Sequence, residues 1–162
     1  MASAANSAVL EADDRVLVIE RVFDAPRQMV WDAFTDAKHL RNWMGPKEFP
    51  AQSYEAAVYP GGKWRARLLS PDGKEELGQS GVFHEVSPPE RLVYTFQWDK
   101  KTPDDHTFAT LITITFDEDG DRTRMRFQQT YFNTKANRDG HNYGWNSGFD
   151  RLADYLSTMR KR

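Results

Sequence analysis

The chain has 162 residues, the length of one domain, and a domain this size buries roughly two-thirds of its unfolded surface without disulfides or metals. It contains no cysteine, which excludes disulfide scaffolds, zinc–thiolate fingers, thiol catalysis and iron–sulfur clusters. With 22 basic and 24 acidic residues the net charge is −2, so there is no polycation for nucleic acid or an anionic membrane.

Residues 1–14 are small and polar and read as a disordered N-terminal arm. They lack the basic region and apolar core of a signal peptide. No run approaches the roughly 18 apolar residues that cross a bilayer. A cytoplasmic protein without membrane insertion is therefore expected, with residues 15–162 forming a single domain. Arg15–Phe23 is rich in β-branched residues and predicts a strand. Asp24-Ala25-Pro26 then looks like a helix start, with an aspartate to cap it and a proline in the first turn. Met29, Val30, Ala33 and Phe34 follow at helical spacing. Thr35-Asp36 offers a second cap before Leu40, Trp43 and Met44, and Gly45-Pro46 ends that helix.

The middle of the chain reads as strands. Gly61-Gly62 marks a turn, after which Trp64, Ala66 and Leu68 alternate with Lys63, Arg65 and Arg67. Val82, His84 and Val86 share one face against Phe83 and Glu85. Leu92, Tyr94, Phe96 and Trp98 keep a period of two, as do Phe108, Thr110, Ile112, Ile114 and Phe116. Asp119-Gly120 is a hairpin signal, and Met125, Phe127, Gln129 and Tyr131 alternate with Arg124, Arg126 and Gln128. The last segment places Trp145, Phe149, Leu152, Leu156 and Met159 on one helical stripe. The pattern is an α+β domain of six to seven antiparallel strands, two short helices after strand one, and a long C-terminal helix across a curved sheet.

Four ordered blocks resemble one family. Phe23-Asp24-Ala25-Pro26 with Val30-Trp31, Thr35-Asp36 and Trp43-Met44-Gly45-Pro46 is similar to its N-terminal signature. Pro60-Gly61-Gly62-Lys63-Trp64-Arg65 resembles its Gly-Gly hairpin, and Pro88-Pro89-Glu90-Arg91-Leu92-Val93-Tyr94-Thr95 its central strand. Gly144-Trp145, leading to Leu152, Tyr155 and Leu156, resembles its terminal helix. The family is the activator-of-heat-shock-protein-90-ATPase-like group of the START-like (SRPBCC) superfamily, and the match runs from about residue 16 to 158. The resemblance implies the helix-grip fold, with the sheet wrapped around the long helix and a cavity between them. It implies less about function, because fold alone does not assign activity.

Enzymatic motifs are sparse. His39, His84, His106 and His141 lie far apart, without metal-ligand spacing, so neither a metal nor another cofactor is expected. Gly78-Gln79-Ser80-Gly81 and Asn146-Ser147-Gly148 both miss the nucleophile-elbow pattern. The stronger signal is aromatic: 5 Trp, 6 Tyr and 10 Phe make up 13% of the chain. Trp31, Phe34 and Trp43 fall on the short helices, Trp64, Phe96 and Trp98 on strands, Tyr131 at a strand end, and Trp145 and Phe149 on the terminal helix. His84 and Gln129 interrupt apolar faces, and apolar walls with a few placed polar groups describe a small-molecule pocket. Gly148 lies one turn beyond Gly144, beside the helix stripe, where a missing side chain leaves room for close packing or for a ligand.

These twelve residues are the expected lining of a cavity for a small, largely apolar ligand, aromatic or lipid-like. A START-type cyclase or hydratase acting on an aromatic or polyketide-like substrate is the alternative, with His84, Tyr94 or Tyr131 as acid or base. No oxyanion hole or carboxylate pair accompanies them. A chaperone-associated interaction module is a third reading, drawn from the family resemblance alone. Homodimerisation through the exposed sheet or its edges is left open.

Overall fold

The computed structural model describes residues 12–99 and 109–160. Most of the expected arm, together with His106, Phe108, Lys161 and Arg162, lies outside them. A 3-10 turn, Ala12–Arg15, leads into β1 (Val16–Phe23), followed by α1 (Arg27–Thr35) and α2 (Ala37–Trp43). Then come β2 (Ala51–Ala56), β3 (Lys63–Leu69), β4 (Glu76–Ser87), β5 (Arg91–Trp98), β6 (Thr110–Asp119) and β7 (Arg122–Thr130). The helix α3 (Lys135–Arg160) is the last element.

The seven strands form one antiparallel sheet in the order β1-β7-β6-β5-β4-β3-β2. β1 and β2 are therefore the edges, and β1 closes onto β7 with Val16 opposite Thr130 and Phe23 opposite Thr123. β2 left almost no trace in the hydrophobic pattern because, as an edge strand, it buries a single residue, Tyr54. The short helices are built as their sequences require, with one difference. Asp36 caps α2, its side chain accepting from the Lys38 amide at 2.9 Å. At the start of α1 the cap position belongs to Pro26, with no side-chain hydrogen bond, while Asp24 instead accepts from Arg160 at 3.1 Å.

The core lies between the inner sheet face, α1, α2 and the C-terminal half of α3. Phe149 is its centre: the ring is fully buried and meets Phe23, Phe34, Trp43, Phe127 and Trp145 at centroid distances of 5.5–6.4 Å. Leu152 and Leu156 continue the stripe into this core. The helix begins nine residues before Gly144, well ahead of where the apolar stripe starts.

Two irregularities redirect side chains. A register shift between Phe83 and Glu85 inserts an extra residue into β4 opposite β5. Such a bulge reverses the alternation beyond it: Phe83 before it and Val86 after it both face the core, while His84, next to Phe83, points to solvent. At the end of β7, Tyr131 takes a positive φ of 80°, which turns it out of the strand pattern and leaves it 63% exposed.

Candidate functional site

The N-terminal half of α3 does not close onto the sheet as its C-terminal half does. A cavity of about 550 Å³ lies between this half-helix, strands β3–β5 and the segment after α2. α3 contributes Ala136, Asn137, Gly140, His141, Gly144 and Trp145. The sheet contributes Leu68, Leu77, Gln79, Phe96 and Trp98, and the third wall is Met44, Gly45, Pro46 and Phe49. Two glycines of α3, Gly140 and Gly144, stand on this border. A Cβ added to Gly140 or Gly144 meets nothing within 4 Å.

The third wall is fixed by backbone geometry and by α3. Gly45 has a φ of +88°, and a Cβ there would run into the Phe49 carbonyl oxygen, so only glycine fits. Arg151 of α3 donates to the carbonyls of Trp43, Met44 and Gly45 at 3.1, 2.9 and 2.8 Å. These carbonyls lie at and just past the C-terminal end of α2, where a cation suits the helix dipole. Burial lowers the Arg151 pKa, but a guanidinium remains charged at neutral pH. Ser147 accepts from the Lys47 amide at 3.0 Å. At the rim the Tyr143 hydroxyl donates to Glu48 at 2.6 Å; this bond lowers the Glu48 carboxyl pKa and raises that of the Tyr143 phenol.

Of the expected lining residues, Phe96, Trp98 and Trp145 are at the cavity wall. Trp31, Phe34, Trp43 and Phe149 are packed in the dry core, and the Trp43 indole donates to the Ala33 carbonyl at 2.9 Å. Trp64 stacks on Tyr54 at 5.7 Å and donates to the Thr95 carbonyl, away from the cavity. His84 and Tyr131 are exposed for the reasons given above. Tyr94 is buried against Trp64 and Phe83, and burial pushes its phenol pKa well up. None of the three expected acid–base candidates lines the cavity. Gly148 is buried against the Gly45 backbone, where an added Cβ would stand 3.5 Å from the Gly45 oxygen in ordinary contact; the open glycine is its neighbour Gly144.

Gln129 lies behind the wall as a structural link. It accepts from the Trp145 indole at 2.9 Å and donates to Thr110 Oγ1 at 2.8 Å, and that hydroxyl donates to the Phe96 carbonyl at 3.1 Å. The chain holds two wall aromatics in place through fully buried polar groups. Gln129→Leu strands the indole N–H and is expected to cost about 1–3 kcal/mol. Urea denaturation checks this, and a loss within error would show that Trp145 finds another acceptor.

His141 is one of the wall residues outside the expected set, with Gln79 and Asn137 among the others. Its Nε2 accepts from the Trp98 indole at 3.1 Å, an assignment fixed because indole is a donor only. The ring also packs edge-on to Phe96, Trp98 and Phe132. A signal for it existed: stepping back from Trp145 by four residues, and by four again, gives His141 and Asn137 on the same helix face. Among the described residues no three His, Asp or Glu side chains gather as a metal would require. No helix among them is long and apolar enough to cross a membrane.

A curved antiparallel sheet gripping a long terminal helix is the START-like helix-grip fold, a known ligand-binding fold. The chain belongs to the family described as "Activator of Hsp90 ATPase homolog 1-like protein", whose model matches residues 24–157. Solved structures agree on the fold. A solution structure of a protein from Arthrobacter aurescens is 23% identical, with a TM-score of 0.78, covering 92% of this chain and 90% of that one. A crystal structure of a protein from Nitrosomonas europaea is 22% identical, with a TM-score of 0.76, covering 94% of this chain and all of its own. The Silicibacter pomeroyi AHSA1 protein is 20% identical, with a TM-score of 0.77, covering 89% of this chain and 99% of that one. No curated protein matches the chain.

Proposed function

We propose that this protein binds a small, largely apolar molecule in the cavity between the sheet and the N-terminal half of α3. The observation that carries this reading is the division of the aromatic set. Phe149 and its neighbours Phe23, Phe34, Trp43 and Phe127 have no place on the cavity wall, whereas Phe96, Trp98 and Trp145, packed against other rings on one side, border about 550 Å³ of space on the other. That volume falls within the range of small-molecule sites. Gly144 on the α3 side of the wall leaves room there, since a Cβ added to it meets nothing within 4 Å.

The cyclase or hydratase alternative is the weaker reading. It now rests on His141 at the wall and Glu48 at the rim, and both are engaged with neighbouring side chains. The test is a panel of neutral aromatics, fatty acids and polarity-sensitive dyes, followed by tryptophan fluorescence and thermal melting. A ligand present at 100 times its Kd should stabilise the fold by about 2.7 kcal/mol. A panel that leaves both fluorescence and melting unchanged would sink the proposal.

A further inference from the structure

The cavity wall carries two buried oxygens that the described protein leaves unpaired. Gln79 of β4 is 7% exposed and Asn137, in the first turn of α3, is 6% exposed. Both line the cavity, one from the sheet and one from the helix. Gln79 Oε1 and Asn137 Oδ1 have no hydrogen-bond partner among the described residues. Asn137 Nδ2 donates to Asn133 Oδ1 at 2.9 Å, which leaves the Asn137 oxygen as the unpaired group. The other polar side chains of the site contrast with these amides. The Trp145, Trp98 and Tyr143 donors all have acceptors.

An unpaired buried acceptor is costly, and it is relieved by any donor that reaches it. Both groups are amide oxygens, so they can only accept. Among the described residues no lysine or arginine lines the cavity, and Glu48 stands at its rim. An anionic ligand would meet two acceptors and a carboxylate with no compensating cation. We infer that the ligand is a neutral aromatic molecule bearing hydrogen-bond donors, a phenol or an aromatic N–H compound, and that Gln79 and Asn137 receive those donors. The inference rests on the ligand-binding reading above and narrows it, setting aside fatty acids and other anions. Terminal amide torsions are broad, so a small turn of either side chain brings its oxygen to the incoming donor.

The experiment compares 2-naphthol with 2-methylnaphthalene, which exchanges the hydroxyl for a methyl of similar size. Both are titrated into the full chain and into the Gln79→Leu and Asn137→Leu variants, with melting curves recorded for each protein. The unsubstituted protein should bind 2-naphthol about tenfold more tightly, although the methyl compound is the more apolar. In at least one variant the preference should shrink to about twofold or less, while 2-methylnaphthalene still binds, which shows that the variant cavity is folded. If Asn137→Leu does not fold, Gln79→Leu decides alone. Equal binding of the two probes, or tighter binding of the methyl compound, overturns the donor inference and leaves the cavity reading standing. Survival of the preference in every folded variant overturns the assignment to these amides. Failure of both probes to bind the unsubstituted protein defeats the inference together with the reading beneath it.

Discussion

Gly144→Leu should keep the fold and lose the ligand. The position is helical and stands at the cavity wall, where a Cβ meets nothing within 4 Å. Removing a glycine from a helix interior is favourable by up to about 1 kcal/mol, so the variant should melt no lower than the parent. The leucine side chain then projects into the space a ligand needs. Overpacking of this kind costs about 1–3 kcal/mol, which corresponds to roughly 5- to 150-fold in Kd. Urea denaturation measures the first effect and titration with 2-naphthol the second. Unchanged affinity beside an unchanged or improved fold would place the ligand away from α3. Gly148 has no equivalent role, because it already touches the Gly45 backbone.

Phe149→Ala should have the opposite profile. Phe149 is fully buried among five aromatic neighbours drawn from β1, α1, α2, β7 and α3 itself. Truncating such a ring leaves a void that the surrounding elements cannot all collapse into, and the expected loss is about 3–5 kcal/mol. The urea midpoint should fall while the slope of the transition is preserved. Any loss of ligand affinity should track the loss of folded protein, since Phe149 is not at the cavity wall. A loss under about 1 kcal/mol would show that this cluster is loosely packed, and the division between dry core and open cavity would fail with it.

The difference between these two residues is the difference between what period and type reveal and what they do not. Phe149 and Trp145 are both large, both aromatic and one helical turn apart. Hydrophobic periodicity marks the pair as inward-facing and says nothing about what each faces. Phe149 meets α1 and α2 as well as the sheet. Trp145 stands where those helices have ended, and its other neighbours are Phe96, Phe127 and the cavity. His84 and Tyr131 show a second limit. Strict alternation grouped His84 with Val86 and Tyr131 with Phe127, but the inserted residue in β4 carries Val86 alone to the core face and leaves His84 outward, and a positive φ after β7 turns Tyr131 out. Neither irregularity leaves a local mark, because a bulge is defined by its partner strand.

The amino-acid sequence by itself determined the elements that local chemistry controls. These are the strand periods of β1, β3 and β5–β7, the Asp36 cap, the stop at Gly45-Pro46 and the C-terminal stripe through Leu152 and Leu156. It also carried the family blocks, and with them the fold. Only the tertiary structure decided where the helix stops touching the sheet, because that depends on how far α1 and α2 extend along α3. It alone paired Trp145 with Gln129 and Trp98 with His141, and left the oxygens of Gln79 and Asn137 without partners. Gln79 and Asn137 are 58 residues apart in the chain, and no local pattern links them. They line one cavity because the packing of α3 over β3–β5 brings a strand and a helix turn to opposite sides of the same space.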